Sequence, residues 1–101
     1  MIVYSVTVSV DEEVQDDWLK WMKEDHIPKV LGTGFFEDHR IMKLISHQTE
    51  EKTVSFNIQY ECESMVKLHQ YQVGHAPALQ KEHTDRYEGK FAAFRTILEK
   101  L

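Results

Sequence analysis

The stretch from Trp18 to Phe36 contains the side chains of this 101-residue chain with the clearest chemical potential. It holds two tryptophans, His26, Pro28 and a Gly-Thr-Gly segment, an order typical of a helix that leads into a strand. An imidazole titrates near neutral pH, so His26 could act as a general base or as a ligand of a metal or haem. Alternatively, its ring caps a backbone carbonyl where Pro28 interrupts the helix. We expect a pocket at this passage, with His26 as the candidate catalytic residue.

The walls of that pocket are predicted from three groups of side chains. A tryptophan and methionine stripe at helical spacing could line an aromatic ligand site, although such a stripe more often belongs to a core. Two tyrosines lie on otherwise apolar strand faces, where a buried hydroxyl needs a partner, but core tyrosines with hydroxyls at the rim are the commoner case. A histidine marks a predicted helix break that could open the pocket. The predicted pocket residues are Trp18, Trp21 and Met22, then Tyr4 and Tyr60, and His75.

The six histidines of the chain do not form a metal-binding motif. None stands in HxH or HExxH spacing, and Cys62 is the only residue that could supply a thiolate. We predict no dedicated metal site, and the sequence leaves open whether haem or another cofactor binds. The pair His39-Arg40 and the later Arg95 could bind a carboxylate, with solvated or inter-protomer ion pairs as the alternative.

Hydrophobic periodicity predicts a strand and then a helix in the first third of the chain. Residues 2–10 alternate apolar and small polar side chains, the period of a strand with one buried face. Asp11 is a predicted N-cap for a helix over about 12–25. Pro28 disfavours helical geometry, so we expect the helix to bend or stop near His26, before a short turn at 29–31.

Two antiparallel strands are predicted next. Residues 35–46 are β-rich but alternate imperfectly, which indicates a bulge or burial on both faces. A polar loop at 47–52 leads to the cleanest alternation of the chain, at 54–61. The two strands therefore form a predicted hairpin.

A second helix and a last strand complete the predicted order. Ser64 is the predicted cap of a helix that breaks between Gly74 and Pro77 and ends before Gly89. Its predicted inward stripe is Met65, Leu68, Gln72, Val73, Ala76 and Leu79. Residues 91–101 fit both a helix and a strand, and we predict a strand because βαββα leaves a sheet edge that a fourth strand completes.

The resulting order, βαββαβ, is that of a ferredoxin-like α+β fold. Two helices are expected on one face of a four-stranded antiparallel sheet. A chain of this length and apolar content fits a single domain, so we predict one domain over residues 1–101.

Composition and charge indicate which classes of partner the protein lacks and where in the cell it is expected. The net charge of −5 and the scattered lysines and arginines predict no nucleic-acid partner. No segment approaches the roughly 20 apolar residues that cross a bilayer, so no membrane association is expected. With Cys62 as the only cysteine, no intrachain disulfide is possible, and the N-terminus lacks signal-peptide features. These features predict a reducing, cytoplasmic location.

Three segments of the chain, together with the βαββαβ order, carry a family resemblance. They are Asp25-His26-Ile27-Pro28 after the aromatic helix, Thr33-Gly34-Phe35-Phe36 at the second strand, and Ala93-Phe94-Arg95-Thr96-Ile97-Leu98 in the last strand. The chain resembles the dimeric α+β barrel superfamily and, within it, a small bacterial family of domains of unknown function. The resemblance implies a homodimer whose sheets face each other as a barrel, with a ligand pocket in each protomer between helices and sheet.

Members of the superfamily include cofactor-independent monooxygenases, haem-degrading enzymes, lactone isomerases and proteins without known activity. The resemblance therefore narrows the position of a site more than its chemistry. The favoured hypothesis is a homodimeric ligand-binding or dimerisation module without a catalytic signature. The alternative is a monooxygenase-like or isomerase-like small-molecule enzyme with a pocket around His26.

Overall fold

A computed structural model describes residues 1–46 and 52–101. Of the predicted loop at 47–52, only Lys52 is among the described residues, and His47 lies outside them. The elements are β1 (Ile2–Asp11), a 3₁₀ turn (Glu12–Val14), α1 (Gln15–Trp21), a π-helix (Met22–His26), α2 (Ile27–Gly32), β2 (Phe36–Lys43), β3 (Thr53–Cys62), α3 (Met65–Gly74), α4 (Ala76–Tyr87) and β4 (Phe91–Glu99).

The four strands form one antiparallel sheet in the order β2-β3-β1-β4. In its register Tyr4 lies opposite Tyr60 on one side and Ile97 on the other. The strand predicted in the last segment is confirmed, since Phe91–Glu99 pairs with β1 along its whole length. The predicted bulge is also present, because the β2–β3 register shifts between Phe36 and Asp38. The predicted α+β fold is therefore confirmed.

The first helical segment continues past the point where we predicted a bend or a stop. After α1 the chain forms a π-helix over Met22–His26, in which the Ile27 amide bonds to the Met22 carbonyl, and α2 follows directly. In a regular α-helix the ring of Pro28 would clash with the carbonyl four residues earlier, and the wider π turn relieves that clash. The predicted turn at 29–31 is accordingly part of an α-helix. Asp11 occupies the N-cap position without a side-chain cap bond.

The second helical segment is divided as predicted. The Ser64 hydroxyl accepts a hydrogen bond from the Lys67 amide at 3.2 Å, which confirms the cap. The break falls at His75, where the backbone leaves helical geometry before Pro77 enters the first turn of α4. Gly89 follows α4 with a φ of 74°, a left-handed conformation that favours glycine.

Two residues of the predicted inward stripe lie on the exposed surface of α3. Val73 is 67% exposed because it lies two residues after Tyr71, on the opposite side of the helix. Met65, in the first turn, is 47% exposed. The side chains of α3 that reach the core are Leu68 and Tyr71.

The core lies between the helices and one face of the sheet. Its most completely buried large side chains are Trp18, Ile58, Leu68, Val10, Val30 and Cys62. Full burial of each aliphatic member contributes about 1.5–3 kcal/mol relative to exposure. Within residues 1–46 and 52–101, no helix combines the length and apolarity needed to cross a membrane.

Among the residues that the structure describes, no helix packs against the other face of the sheet. Its centre carries small polar side chains that bond to one another: Ser9 and Ser55 hydroxyls lie 2.6 Å apart, and the Asn57 amide donates to Ser5 and Thr7 hydroxyls at 2.8 and 3.1 Å. Exposed apolar residues flank this polar stripe, namely Phe94, Leu98 and Met42. We refer to this surface as the open face.

Candidate functional site

A cavity of about 60 Å³ lies between the helices and the sheet. Its apolar lining comes mainly from the inward residues of the strands, such as Val6, Val8 and Ile58. The polar side chains that line it are Tyr4, His26, Tyr60, Tyr71, Gln80, His83, Thr84 and Arg95. The site thus gathers groups from β1, β3, β4, α3, α4 and the end of the π-helix.

His26 lies at the junction of the π-helix and α2, and its ring contacts those of Trp21 and His83 at centroid distances of 5.2 and 5.8 Å. Its Nδ1 atom is buried and has no hydrogen-bond partner among the residues that the structure describes. Burial lowers the pKa of His26, and the carboxylates of Glu82 and Asp25 only partly oppose this effect. The imidazole is therefore neutral at pH 7, with one nitrogen unsatisfied.

His83 is held by Trp18 in a defined protonation state. The indole Nε1–H donates to His83 Nε2 at 2.9 Å in a buried hydrogen bond. Because an indole can only donate, Nε2 must be the unprotonated acceptor, and the neutral ring carries its proton on Nδ1. Burial lowers the pKa of His83 to about 4, aided by the charge of Arg95 and by repulsion from His26 once that ring is protonated. Two neutral imidazoles thus lie side by side at the cavity.

Three tyrosines form an aromatic wall of the cavity. The Tyr4 ring lies 6.3 Å from that of Tyr60 and 6.0 Å from that of Tyr71, measured between centroids. Burial, together with the neighbouring hydroxyls, raises the pKa of both Tyr60 and Tyr71, so these groups stay protonated at neutral pH. The wall therefore offers phenol groups that can donate or accept a hydrogen bond.

Arg95 is the charged residue of the lining. It projects from β4 on the helix side of the sheet, opposite Val6, and is exposed. Its charge contributes to the lowered pKa of both His26 and His83, so its field reaches the cavity. Electrostatically, the site combines neutral polar groups with one cation.

Four of the predicted site residues come together at this cavity: His26, Met22, Tyr4 and Tyr60. The other three lie outside its lining. Trp18 is fully buried against Phe56, Trp21 packs between His26 and Tyr87, and His75 is exposed and stacks on Tyr71. Trp18 thus contacts His83, and Trp21 contacts both histidines, although neither tryptophan lines the cavity. His75 contacts the tyrosine wall.

Sequence reasoning did not place Tyr71, His83 or Arg95 in the site. A signal for His83 existed, since Ala76, His83 and Tyr87 repeat at helical spacing and are all buried in α4. A signal for Arg95 existed as well, because it shares strand parity with the partly buried Phe91. Within the described ranges, no group of three His, Cys, Asp or Glu side chains is arranged to hold a metal ion.

A family sequence model described as "Domain of unknown function (DUF4286)" matches residues 1–101. The chain belongs to this family. No curated protein sequence matches the DUF4286 chain. The family description names no activity, so membership leaves the chemistry to be argued from the cavity.

Solved structures share the fold of this DUF4286 chain at low sequence identity. An "ethyl tert-butyl ether d (ethd) family protein" from Bacillus halodurans is 14% identical, with 100% of both chains covered and a TM-score of 0.69. A dimeric ferredoxin-like protein from an uncultured marine organism is 15% identical, covering 99% of this chain and 95% of that chain, with a TM-score of 0.62. An antibiotic biosynthesis monooxygenase is 12% identical, covering 100% and 99%, with a TM-score of 0.61.

These similarities show that the chain has the ferredoxin-like α+β fold. The fold predicted from the sequence is thereby confirmed. At such identities the likeness concerns the fold alone, and the activities in the names belong to those proteins.

Proposed function

We propose that this DUF4286 domain is a homodimeric small-molecule-binding module whose ligand occupies the cavity around His26. The observation that carries the proposal is the buried Nδ1 of His26, which has no partner among the described residues. An unsatisfied buried polar atom costs about 1–3 kcal/mol. A ligand that hydrogen-bonds this nitrogen would remove that cost. Ligand binding therefore explains why an unsatisfied nitrogen lies beside a cavity.

The chemistry of the lining supports a small, partly apolar ligand. Apolar strand residues and tyrosine rings provide contact area, while His26 and His83 supply neutral hydrogen-bonding groups. The cavity volume of about 60 Å³ is well below the about 150 Å³ of a cavity that holds a benzene-sized ring. The part of the ligand that enters is therefore small.

The open face supports the homodimer. Its central polar groups already bond to one another through Ser9–Ser55 and through Asn57, so covering them leaves few orphaned donors. Exposed Phe94 and Leu98 would gain burial in the same step. One solved structure of the same fold is named as a dimeric protein. We propose that two open faces pack together as a barrel, within a single domain over residues 1–101.

A second candidate is a small-molecule enzyme with His26 as general base. The neutral state of both His26 and His83 favours it, because an unprotonated imidazole in a cavity can accept a proton from a bound substrate. One solved structure of this fold is named as a monooxygenase. In this alternative His83 and Tyr60 would position the substrate, and the reaction would begin with proton abstraction. The cytoplasmic, bacterial setting predicted from the sequence stays a prediction.

Native mass spectrometry of the protein as purified from cells tests the first proposal. We expect a dimer that carries a discrete additional mass in the wild type. The His26→Ala variant should lose this mass and remain a dimer, whereas the matched control His69→Ala, at an exposed helical position, should retain it. A dimer without added mass in every sample, or a mass retained by His26→Ala, would contradict the proposal.

The same samples separate binding from catalysis. Once the retained molecule is identified by its mass, it is incubated with wild type and with His26→Asn, and its conversion is followed by chromatography. Binding without conversion by the wild type supports the module, and conversion that depends on His26 supports the enzyme.

A further inference from the structure

Arg95 stands apart from the other arginines of the chain. Arg40 bonds to Glu61 at 3.0 Å, and Arg86 lies 3.6 Å from Asp17. Arg95, in contrast, makes no ion pair within residues 1–46 and 52–101, although it faces the helix side of the sheet. As far as the described residues are concerned, this guanidinium is available to a ligand.

The carboxylates nearest to the cavity already have a cation. Asp25 and Glu82 both act on His26 electrostatically, but both bind Lys29, at 3.2 and 2.8 Å. The remaining polar lining consists of neutral imidazoles, phenols, an amide and a hydroxyl. The cavity therefore carries one positive charge and no compensating negative charge in its lining, which favours a monoanion over a neutral or cationic ligand.

The shape of the site restricts what kind of anion fits. A guanidinium binds a carboxylate through two parallel hydrogen bonds, a geometry that Lys cannot reproduce. Inward of Arg95 the lining is apolar, with Ala93, Val6 and Ile58. A cavity that binds a benzene-sized ring has about 150 Å³, whereas this one has about 60 Å³. The apolar part of the ligand is therefore a short chain.

We infer that the ligand is a short-chain organic monocarboxylate, with its carboxylate bound by Arg95 at the mouth and its apolar chain inside the cavity. This inference rests on the proposed function and names the class of molecule that the site accepts. Because His26 lines the same cavity as Arg95, the bound carboxylate also accepts a hydrogen bond from Nδ1–H of His26, which satisfies the atom on which the proposed function rests.

Titration of ¹⁵N-labelled protein with butyrate and with its neutral isostere butyramide tests the inference. We expect butyrate to shift the amide signals of β4 and α4 and to bind at least tenfold more tightly than butyramide. Arg95→Gln should weaken butyrate binding about tenfold and leave butyramide binding unchanged, because only the charged hydrogen bonds are lost. The control Lys67→Gln removes one charge from a surface pair with Glu63 and should bind both probes as the wild type does.

The outcomes separate this inference from the proposed function. Equal binding of butyrate and butyramide by the wild type would overturn the carboxylate while leaving the pocket in place. So would a retained native molecule of neutral chemistry. Absence of any probe binding, together with no retained molecule, would overturn the proposed function itself. If Arg95→Gln converts a dimer into a monomer in light scattering, Arg95 pairs across the interface instead, and the inference fails.

Discussion

At the scale of single residues, the site depends on two imidazoles that burial keeps neutral but that differ in their hydrogen bonds. His83 has a fixed tautomer because Trp18 donates to its Nε2 atom. His26 has no such partner on Nδ1 among the described residues, and burial, aided by the charges of Lys29 and Arg95, lowers its pKa. The Nε2 atom of His83 is therefore already hydrogen-bonded within the protein, whereas the Nδ1 atom of His26 is available to a ligand.

We expect the free energy of unfolding to fall as the pH is lowered from about 6.5 to about 4. The pKa of His83 is 6.5 in the unfolded chain and about 4 in the folded one, so the unfolded state binds more protons in this window. Above it both states are neutral, and below it both are protonated, so the loss is confined to the window. Urea denaturation should show a loss of about 3 kcal/mol from this group across the window.

The His83→Gln variant tests the assignment, since a glutamine oxygen can still accept from Trp18 but does not titrate. Its stability should change less with pH than that of the wild type. His69→Gln, at an exposed position, should keep the wild-type profile. Identical pH profiles for wild type and His83→Gln would show that another group is responsible.

The residue types of the site were partly predictable from the sequence. Tyr4 and Tyr60 were predicted because a buried hydroxyl on an apolar face needs a partner, and His26 because an imidazole at a helix end beside a pocket can act as base or ligand. Trp18 was assigned to the ligand wall because helical spacing identifies a buried stripe but not what lies against it. Arg95 was not assigned to the wall because its neighbours on both parities of β4 are mostly apolar. Only the pairing with β1 shows which parity faces the helices.

At the scale of elements, the π-helix determines where His26 lies. The Ile27 amide donates to the carbonyl of Met22, five residues earlier, whereas in a regular α-helix the partner is four residues earlier. The following residues are rotated accordingly, and Ile27 and Val30 reach the core in α2. Pro28 marked this position in the sequence, but whether a helix stops or widens at a proline depends on the packing that follows it.

Two glycines at element ends are expected to respond oppositely to replacement by alanine. Gly89 has a φ of 74°, so Gly89→Ala should destabilise the fold by about 1 kcal/mol through backbone strain. Gly32, the last residue of α2, has no positive φ, and Gly32→Ala should be neutral or stabilising by up to about 1 kcal/mol.

Apart from the adjoining backbone, no atom of the described residues lies within 4 Å of the added Cβ at either position, so crowding does not complicate the comparison. Urea denaturation of both variants provides the test. A similar loss of stability in the two would mean that the conformation of Gly89 does not govern the effect.

At the scale of the whole molecule, the sheet divides the protein into two regions. One face holds the helices, the core and the cavity, and the open face holds bonded polar groups flanked by exposed apolar side chains. The four antiparallel strands and the hairpin of β2 and β3 were predicted from the sequence, because period-two alternation and the βαββαβ order leave few alternatives. What covers the open face did not follow, since small polar residues suit both water and a second sheet.

We expect Phe94→Glu to convert the proposed dimer into a folded monomer. Phe94 is 63% exposed in the single chain, so a charge there is tolerated by the protomer but not in a barrel between two sheets. Light scattering measures the mass, and circular dichroism checks the fold. Val66→Glu, at a 68% exposed position on α3, is the matched control and should remain a dimer. A dimeric Phe94→Glu protein would exclude this face as the interface.

Because Cys62 is buried, the reactivity of its thiol reports how often the fold opens locally. This only thiol of the chain is fully buried at the end of a central strand, where it contacts the Ser64 carbonyl. An alkylating reagent can reach it only when β3 separates from its neighbours, so the rate of alkylation counts opening events. A ligand that binds only the folded state would slow that rate, and its binding could thus be detected before its chemistry is known.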